Sequence, residues 1–450
     1  MTAERLLMAG VMGVLVWAPW PLGSNRAWSA ALLVVLVGLL LLAWGLLLLR
    51  DRDRGHWAPL RMAAPMLGLL LLAQLWVGVQ LFTGWTTDPG ASTEALALGL
   101  GYSGLFVLVV GLFKTRRRIT LLLGVLLGAA VLQAFYASAL VLVGLDWLPF
   151  GPGSTRVASG AYINRNHLAG FLAMSLGLGI ALLLALREDR EFRWYHIAGL
   201  LIGPKAWIRL ALVILVIALV MTQSRMGNTA FFTSLVLVGA LFVALTPRNR
   251  LRNGAVLVSV LIIDALVISQ WFGLEELQQR IADTRFQDEV VDDQIVRREN
   301  VTRDNIVLYA WPQFLERPVV GFGAGGFDAS FQRFPGEDIT RRWNHAHNDY
   351  LEFAIEYGVV GLVPLIGFVL LALWHALRAM AAHQSLYRSG LATGVMMGLV
   401  ALLIHGVTDF NLQIPANAAL FVVLAALAPL ARSHRVQRKG TAVGRRRSKL

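Results

Sequence analysis

The chain has 450 residues, of which 57% are hydrophobic and 15% charged, with a mean hydropathy of +0.63 and a formal net charge of +13. A soluble domain of this length would need far more charge to cover its surface, so the composition excludes an ordinary water-soluble enzyme. The absence of cysteine excludes a disulfide framework, a thiolate nucleophile and a Cys-based metal site.

Read in chain order, the first element, Met1 to Leu22, has Arg5 ahead of an apolar stretch and so resembles a signal peptide. Trp17, Pro19, Trp20 and Pro21 make a poor small-residue cleavage site, and the segment is expected to stay as the first spanning helix. Further apolar runs reach the ~20 residues that cross a bilayer core, and none alternates as a barrel strand would. The expected spans are 6–20, 28–50, 62–82, 94–113, 119–144, 166–186, 206–223, 226–246 and 254–271, then 349–374, 388–408 and 415–431. The expected fold is therefore all-α and polytopic, with about twelve transmembrane helices.

Basic residues fall on alternate connections. Arg50, Arg52, Arg54 and Arg61 follow the second span, and Lys114, Arg116, Arg117 and Arg118 the fourth. Arg187, Arg190, Arg193, Lys205 and Arg209 follow the sixth, and Arg248, Arg250 and Arg252 the eighth. The tail after the last span carries eight Lys/Arg and no acid. The positive-inside rule then puts both termini in the cytoplasm. The expected organisation is spans one to nine over 1–271 and an outward loop with short helices over 272–348. Spans ten to twelve follow over 349–431, and a basic tail over 432–450. From Gly273 to Ala346 the loop holds nine Arg against thirteen Asp/Glu, so the positive excess lies on the cytoplasmic side. Topology signalling and contact with anionic membrane lipids account for the basic tail, and no nucleic-acid partner is expected. Glycines inside spans, such as Gly99, Gly101 and Gly104 or Gly170, Gly177 and Gly179, are expected at close helix contacts. No repeat of fixed period appears, and the late position of the loop argues against the equal halves of a transporter.

Polar groups at membrane depth or at its edge are costly and mark candidate sites. On the expected topology the unusual ones fall on one side: Arg165, Asn166 and His167; Ser224 and Arg225; Asn344, His345, His347, Asn348 and Asp349; and Asp409, Asn411 and Gln413. Guanidinium groups match phosphate oxygens in two-point contact, and an imidazole exchanges a proton near neutral pH. The set suits a reaction in which a hydroxyl attacks and a pyrophosphate leaves.

The segment His347-Asn348-Asp349-Tyr350-Leu351-Glu352-Phe353-Ala354-Ile355-Glu356-Tyr357-Gly358 resembles the signature of the O-antigen ligase and O-antigen polymerase superfamily: His, then Asn/Ser/Gln, nine residues, then Gly. Asn164 to Gly170 resembles its Asn-x-Asn-His-x-Ala-Gly start of a span, Thr222 to Arg225 its Ser-Arg turn, and Pro318 to Phe327 its Gly-rich loop stretch. Thr229 stands where many ligases have Leu. The resemblance covers roughly residues 150–430. It implies glycosyl transfer on the periplasmic side of a bacterial inner membrane. The donor would be a glycan on undecaprenyl pyrophosphate and the acceptor a sugar hydroxyl, on lipid A-core for a ligase or on a growing glycan for a polymerase. It implies no cofactor, no metal and no nucleotide sugar, with His347 as general base and Arg225 as pyrophosphate binder. Arg165 and Asp409 join the substrate-binding set by position and residue type, with Asn348, His345, Arg298 and Arg303 as further members.

Plainer roles stand beside these. Asn348 and Asp349 suit a helix cap, and Asn166 and His167 suit a cap and helix–helix hydrogen bonds. Glu352 and Glu356 share a helix face, where they pair structurally or orient His or Arg groups. Asp264, a lone acid in the ninth span, reads as a structural hydrogen-bonding group. Gly321 to Gly326 contains GxGxxG without strand or βαβ context, so dinucleotide binding is rejected. Val301, Ile306, Tyr309 and Phe314 have the spacing of an amphipathic helix on the membrane face.

Overall fold

In hydrocarbon each backbone N–H and C=O needs a partner within its own segment, and helices supply one. The structure, a computed structural model, obeys this and is helical almost throughout. It describes residues 3–50, 57–144, 147–148, 151–152, 157–186, 205–246, 250, 254, 257–258, 289–291, 294–296, 303–335, 342–382 and 385–433. The helices in chain order are α1 (Ala3–Trp17), α2 (Ala27–Arg50), α3 (Trp57–Thr83), α4 (Pro89–Leu112), α5 (Arg116–Val143), α6 (Arg165–Ala185), α7 (Ala206–Met221) and α8 (Arg225–Leu245). Then come α9 (Arg303–Glu316), α10 (Phe327–Phe331), α11 (Asp349–Ala381), α12 (Leu386–His405) and α13 (Pro415–Ser433). Two short antiparallel ladders, Trp147–Leu148 with Gly151–Pro152 and Glu289–Val291 with Gln294–Val296, are the described strands.

Among the described residues nine helices are long and apolar enough to cross a bilayer, namely α2 to α6, α8 and α11 to α13. The chain is a multi-pass membrane protein. The first and seventh expected spans form shorter helices, α1 of 15 residues and α7 of 16. The ninth, with Asp264, lies almost wholly outside the described residues, as does Arg298.

Lipid tails are as apolar as leucine, so hydropathy alone cannot separate inner from outer helices, and small residues mark the close contacts. The buried centre is α6, α12 and α13, whereas α2 shows Val35, Leu39, Leu42, Leu46 and Leu49 outward. Helices α6 and α12 meet backbone to backbone. A Cβ at Gly394 would lie 2.2 Å from the Gly177 carbonyl oxygen, and one at Gly390 2.4 Å from the Ala185 nitrogen. Gly390, Gly394 and Gly398 recur every fourth residue, so they form one smooth ridge on α12.

The two ends of the bundle differ in chemistry. At one end, Arg118 pairs with Glu4 at 2.5 Å and Arg116 lies over the Tyr387 ring at 4.6 Å. There too Arg388 donates to the carbonyls of Ala431 and Arg432, and Arg432 and Arg378 flank Trp374. Helix α12 begins at this basic end and finishes at His405, 20 residues away. At 1.5 Å per residue that is about 30 Å, one hydrocarbon core.

Helix α11 carries a break. Gly358 has φ 59° and ψ −179°, and residues around it leave the helical ladder. The freed groups are taken up by the segment before α10: Val359 N–H donates to Pro318 O at 2.8 Å, and Gly323 N–H to Glu356 O at 3.0 Å. From α3, Gln80 Nε2 donates to Val320 O at 2.7 Å and to Glu356 O at 2.9 Å, and Trp76 Nε1 donates to Tyr357 O at 2.7 Å. A Cβ at Gly358 would lie 2.2 Å from Val319 O, and one at Gly321, itself at φ 73°, 2.3 Å from Glu356 O. The glycines of 321–326 thus serve a close backbone crossing, which is why GxGxxG occurs without a nucleotide fold.

Candidate functional site

The end opposite the basic one is where α6, α8, α11 and α13 begin and α12 ends. Three of these starts are capped by a short polar side chain. Asn164 Oδ1 accepts from Asn166 N–H at 2.9 Å, Ser224 Oγ from Gly227 N–H at 3.2 Å, and Asn348 Oδ1 from Leu351 N–H at 3.0 Å. The cap of α6 is therefore Asn164, two residues ahead of the expected Asn166. Asn348 caps α11 through its side-chain carbonyl oxygen, the plainer of the two roles its position suits.

Hydrogen bonds then draw these ends together. Asp349 N–H lies 2.8 Å from Gly406 O and 3.1 Å from Asp409 O, and the Asp349 carboxylate accepts from Leu412 N–H at 3.2 Å. A Cβ at Gly406 would sit 2.9 Å from Asp349 Oδ2, so the turn after α12 admits the start of α11 only as glycine. Asn417 Nδ2 bridges His167 O at 2.9 Å and Asn411 Oδ1 at 3.0 Å, tying α6 to α13. Gly227, two residues into α8, fits between Ala169 and His405: a Cβ there would be 2.6 Å from Ala169 Cβ and 3.3 Å from His405 Cε1.

At the centre is the Asp409 carboxylate, 0% exposed. Its oxygens lie 3.6 Å from His167 Nε2, 3.9 Å from His347 Nδ1 and 4.0 Å from His405 Nε2, while Oδ1 accepts from Phe410 N–H at 2.9 Å. The imidazole separations exceed direct hydrogen bonds, so the carboxylate acts on the three rings through its field. Buried behind them, Asp409 is placed to orient histidines.

Phe410 is the packing hub. His167 and His347 present edges to it at 4.6 and 4.8 Å between centroids, and His345 stacks on it at 4.0 Å with 14° between planes. Trp343 closes on His347 from the other side at 5.1 Å. His347 itself has φ 50°, left-handed backbone that a residue with a Cβ adopts at a cost of about 1–3 kcal/mol. Gln223 has φ 51°. Each of the two directly precedes an N-cap, Asn348 and Ser224, so the same strained step leads into both helices.

His345 has the tightest charged contact of the group. Its Nδ1 is 2.7 Å from Glu352 Oε1, and Glu352 Oε2 accepts from Ala346 N–H at 2.8 Å. Burial pushes the His345 imidazole down. The Glu352 charge and hydrogen bond, with the charges of Glu356 and Asp328 behind them, push it up by more, and its pKa ends above the ordinary 6.5. Asp328 is held in turn by Arg342 at 2.7 and 2.9 Å, and Glu356 accepts from Phe327 N–H at 3.3 Å.

Arg165 and Arg225 are the first residues of α6 and α8, and both are exposed at the rim of this cluster. A cation at a helix N-terminus opposes the macrodipole by about 0.3–1 kcal/mol, so neither helix gains stability from this choice. Arg303 starts α9, away from these helix ends in sequence, and Arg298 falls outside the described residues. On α9, Ile306 and Ala310 pack inward, and the exposed apolar residues are Leu308, Trp311 and Leu315. The helix is amphipathic, but the face of Ile306, Tyr309 and Phe314 packs on Phe322, Phe327 and Phe331 and not on the membrane as expected, while Val301 lies outside the described residues.

Sequence reading did not assign His405, Phe410 or Trp343 to the site, and left Glu352 between two roles. A histidine at the end of an apolar helix, four residues before Asp409, is the signal that finds His405. Phe410 and Trp343 carry no such signal.

Residues 210–366 match the family model described as O-antigen ligase, from within α7 into α11. No curated protein matches the chain. The matched segment holds Arg225, the Gly-rich crossing, His345, His347 and Gly358, whereas His167, His405 and Asp409 come from helices and a turn outside it.

Proposed function

We propose that this protein moves a glycan from undecaprenyl pyrophosphate to a sugar hydroxyl, a reading supported by the match of residues 210–366 to the family model described as O-antigen ligase. The reaction takes place at the periplasmic face of a bacterial inner membrane, with both termini in the cytoplasm. The acceptor is lipid A-core, which makes the protein an O-antigen ligase.

One observation carries the reading. His347 stands beside a buried carboxylate at the bundle end opposite the arginine-rich end, where two helices begin with exposed arginines. By the positive-inside rule the arginine-rich end is cytoplasmic, so the histidines face out. A neutral His347 takes the proton of the acceptor hydroxyl as its oxygen attacks the anomeric carbon. The bond from that carbon to the pyrophosphate oxygen breaks, and the electron pair leaves with undecaprenyl pyrophosphate against Arg225 and Arg165. One displacement inverts the anomeric centre. The Asp409 charge, acting through its field, favours the imidazolium that forms. Such a base contributes about 10²–10⁴ in rate.

The test is transfer by purified protein in nanodiscs, given undecaprenyl-pyrophosphate-linked glycan and lipid A-core. Joining the two with inversion supports the proposal. Joining of one donor glycan to another makes the protein a polymerase, and movement of donor across the bilayer without bond formation ends the enzyme reading.

A further inference from the structure

Two imidazoles two residues apart, His345 and His347, pack on the same Phe410 ring but face different carboxylates. His347 Nδ1 is 3.9 Å from Asp409, beyond a direct hydrogen bond, whereas His345 Nδ1 is 2.7 Å from Glu352. In an imidazole the two nitrogens lie on opposite sides of the ring, so with Nδ1 held by Glu352 the Nε2–H of His345 is directed away from that carboxylate. The side chain is 31% exposed while Glu352 is 1% exposed, so the ring is anchored at Nδ1 to a buried carboxylate and still reaches the surface.

We infer that His345, held by Glu352, is the resident imidazolium of the site and donates a hydrogen bond from Nε2 to a phosphate oxygen of the lipid carrier. This rests on the glycosyl-transfer reading and assigns the two histidines opposite tasks. His347 begins neutral and gains the hydroxyl proton. His345 begins charged, keeps its proton, and stabilises the oxygen that receives the electron pair of the broken bond. Glu352 is a positioning residue that acts through His345.

The charged groups around His345 favour this state. Glu352 and Glu356 face it from α11, Asp328 acts on it from α10, and the fully buried Asp409 is next to Phe410 in the turn beneath it. Arg342 faces Asp328 and offsets part of that one charge. His347, its neighbour on the Phe410 ring, is the proposed base and faces Asp409 instead. Phe410 stacks face-on, an arrangement that suits a cation against the negative face of an aromatic ring. Phosphate recognition at this point thus does not depend on the exposed arginines alone.

The experiment measures binding of undecaprenyl pyrophosphate, with undecaprenol as control, to full-length protein in nanodiscs across pH 5 to 9. The wild type should bind the pyrophosphate and lose affinity as pH rises above the ordinary histidine range. His345→Gln should bind about tenfold or more weakly at neutral pH and lose that pH dependence, the scale of one charge-assisted hydrogen bond. Glu352→Gln should move the loss of affinity to lower pH and regain near-wild-type binding near pH 5.5, a rescue that a merely structural role would not give. His345→Gln binding the pyrophosphate as wild type does, or Glu352→Gln weakened equally at every pH, overturns the inference. Binding is read without transfer, so failure of the wild type to transfer glycan rejects the proposed function and leaves this result to stand by itself.

Discussion

Replacing Gly358 by alanine tests how the broken helix holds the site. The native backbone there, φ 59° and ψ −179°, is a conformation open to glycine and costs a residue with a Cβ about 1–3 kcal/mol. The added methyl would also meet Val319 O at 2.2 Å and Val319 C at 2.5 Å, both backbone atoms that no rotamer change can move. Relief requires the 318–320 segment to withdraw, which strips the bonds from Val359 N–H to Pro318 O and from Val360 N–H to Val319 O. At about 1 kcal/mol net for each bond, the loss totals about 3–5 kcal/mol. Hydrogen exchange of protein in nanodiscs should show lost protection at 318–323 and 355–360, with the α6–α12 contact unchanged. Transfer should fall with it, because Glu352, which holds His345, lies on the turns of α11 leading into the break. Wild-type protection in the variant, or wild-type thermal stability, refutes the packing argument.

Asp409→Asn keeps the bond from Phe410 N–H but removes the charge beneath three imidazoles; kcat should fall by about 10²-fold or more with donor KM little changed, since the loss lies in the transition state. Arg225→Lys should keep part of the donor binding and Arg225→Gln little of it, read as the rise in KM for the lipid-linked donor. For stability the His345 pKa sets the sign. It is raised above 6.5 in the fold, so the His345–Glu352 pair contributes fully below that pH and its contribution is lost as pH climbs through the raised value. The gap in melting temperature between wild type and Glu352→Gln should therefore be widest near pH 6 and narrow toward pH 9; a gap independent of pH contradicts the ion pair.

How much of this was legible follows from the kind of residue involved. Arg225, His347 and Asp409 stood out because charged and titratable side chains at a membrane edge need a reason, and the alternation of basic connections put them on one side. The glycines within spans announced close packing, and the Gly177–Gly394 approach shows it. The spacing from His347 to Gly358 carried the family resemblance but not its cause, which is a backbone crossing with a segment nearly forty residues earlier in the chain. His405 and Phe410 escaped notice because each matches its apolar surroundings and gains meaning only when α6, α11 and α12 meet. Glu352 is legible as a neighbour of Glu356 on one helix face, yet its contact is with His345, which the chain folds back to reach it. Asn348 and Asp349, adjacent in sequence, serve different places: one caps α11, and the other reaches across to the turn after α12.

The account stands or falls on His347 as the group that takes the acceptor proton. The direct measurement is the single-turnover transfer rate of His347→Ala in nanodiscs saturated with lipid-linked donor, beside donor affinity for the same preparation. The account predicts a rate lowered by about 10²–10⁴-fold with donor still bound. Transfer at the wild-type rate by folded His347→Ala protein would contradict it.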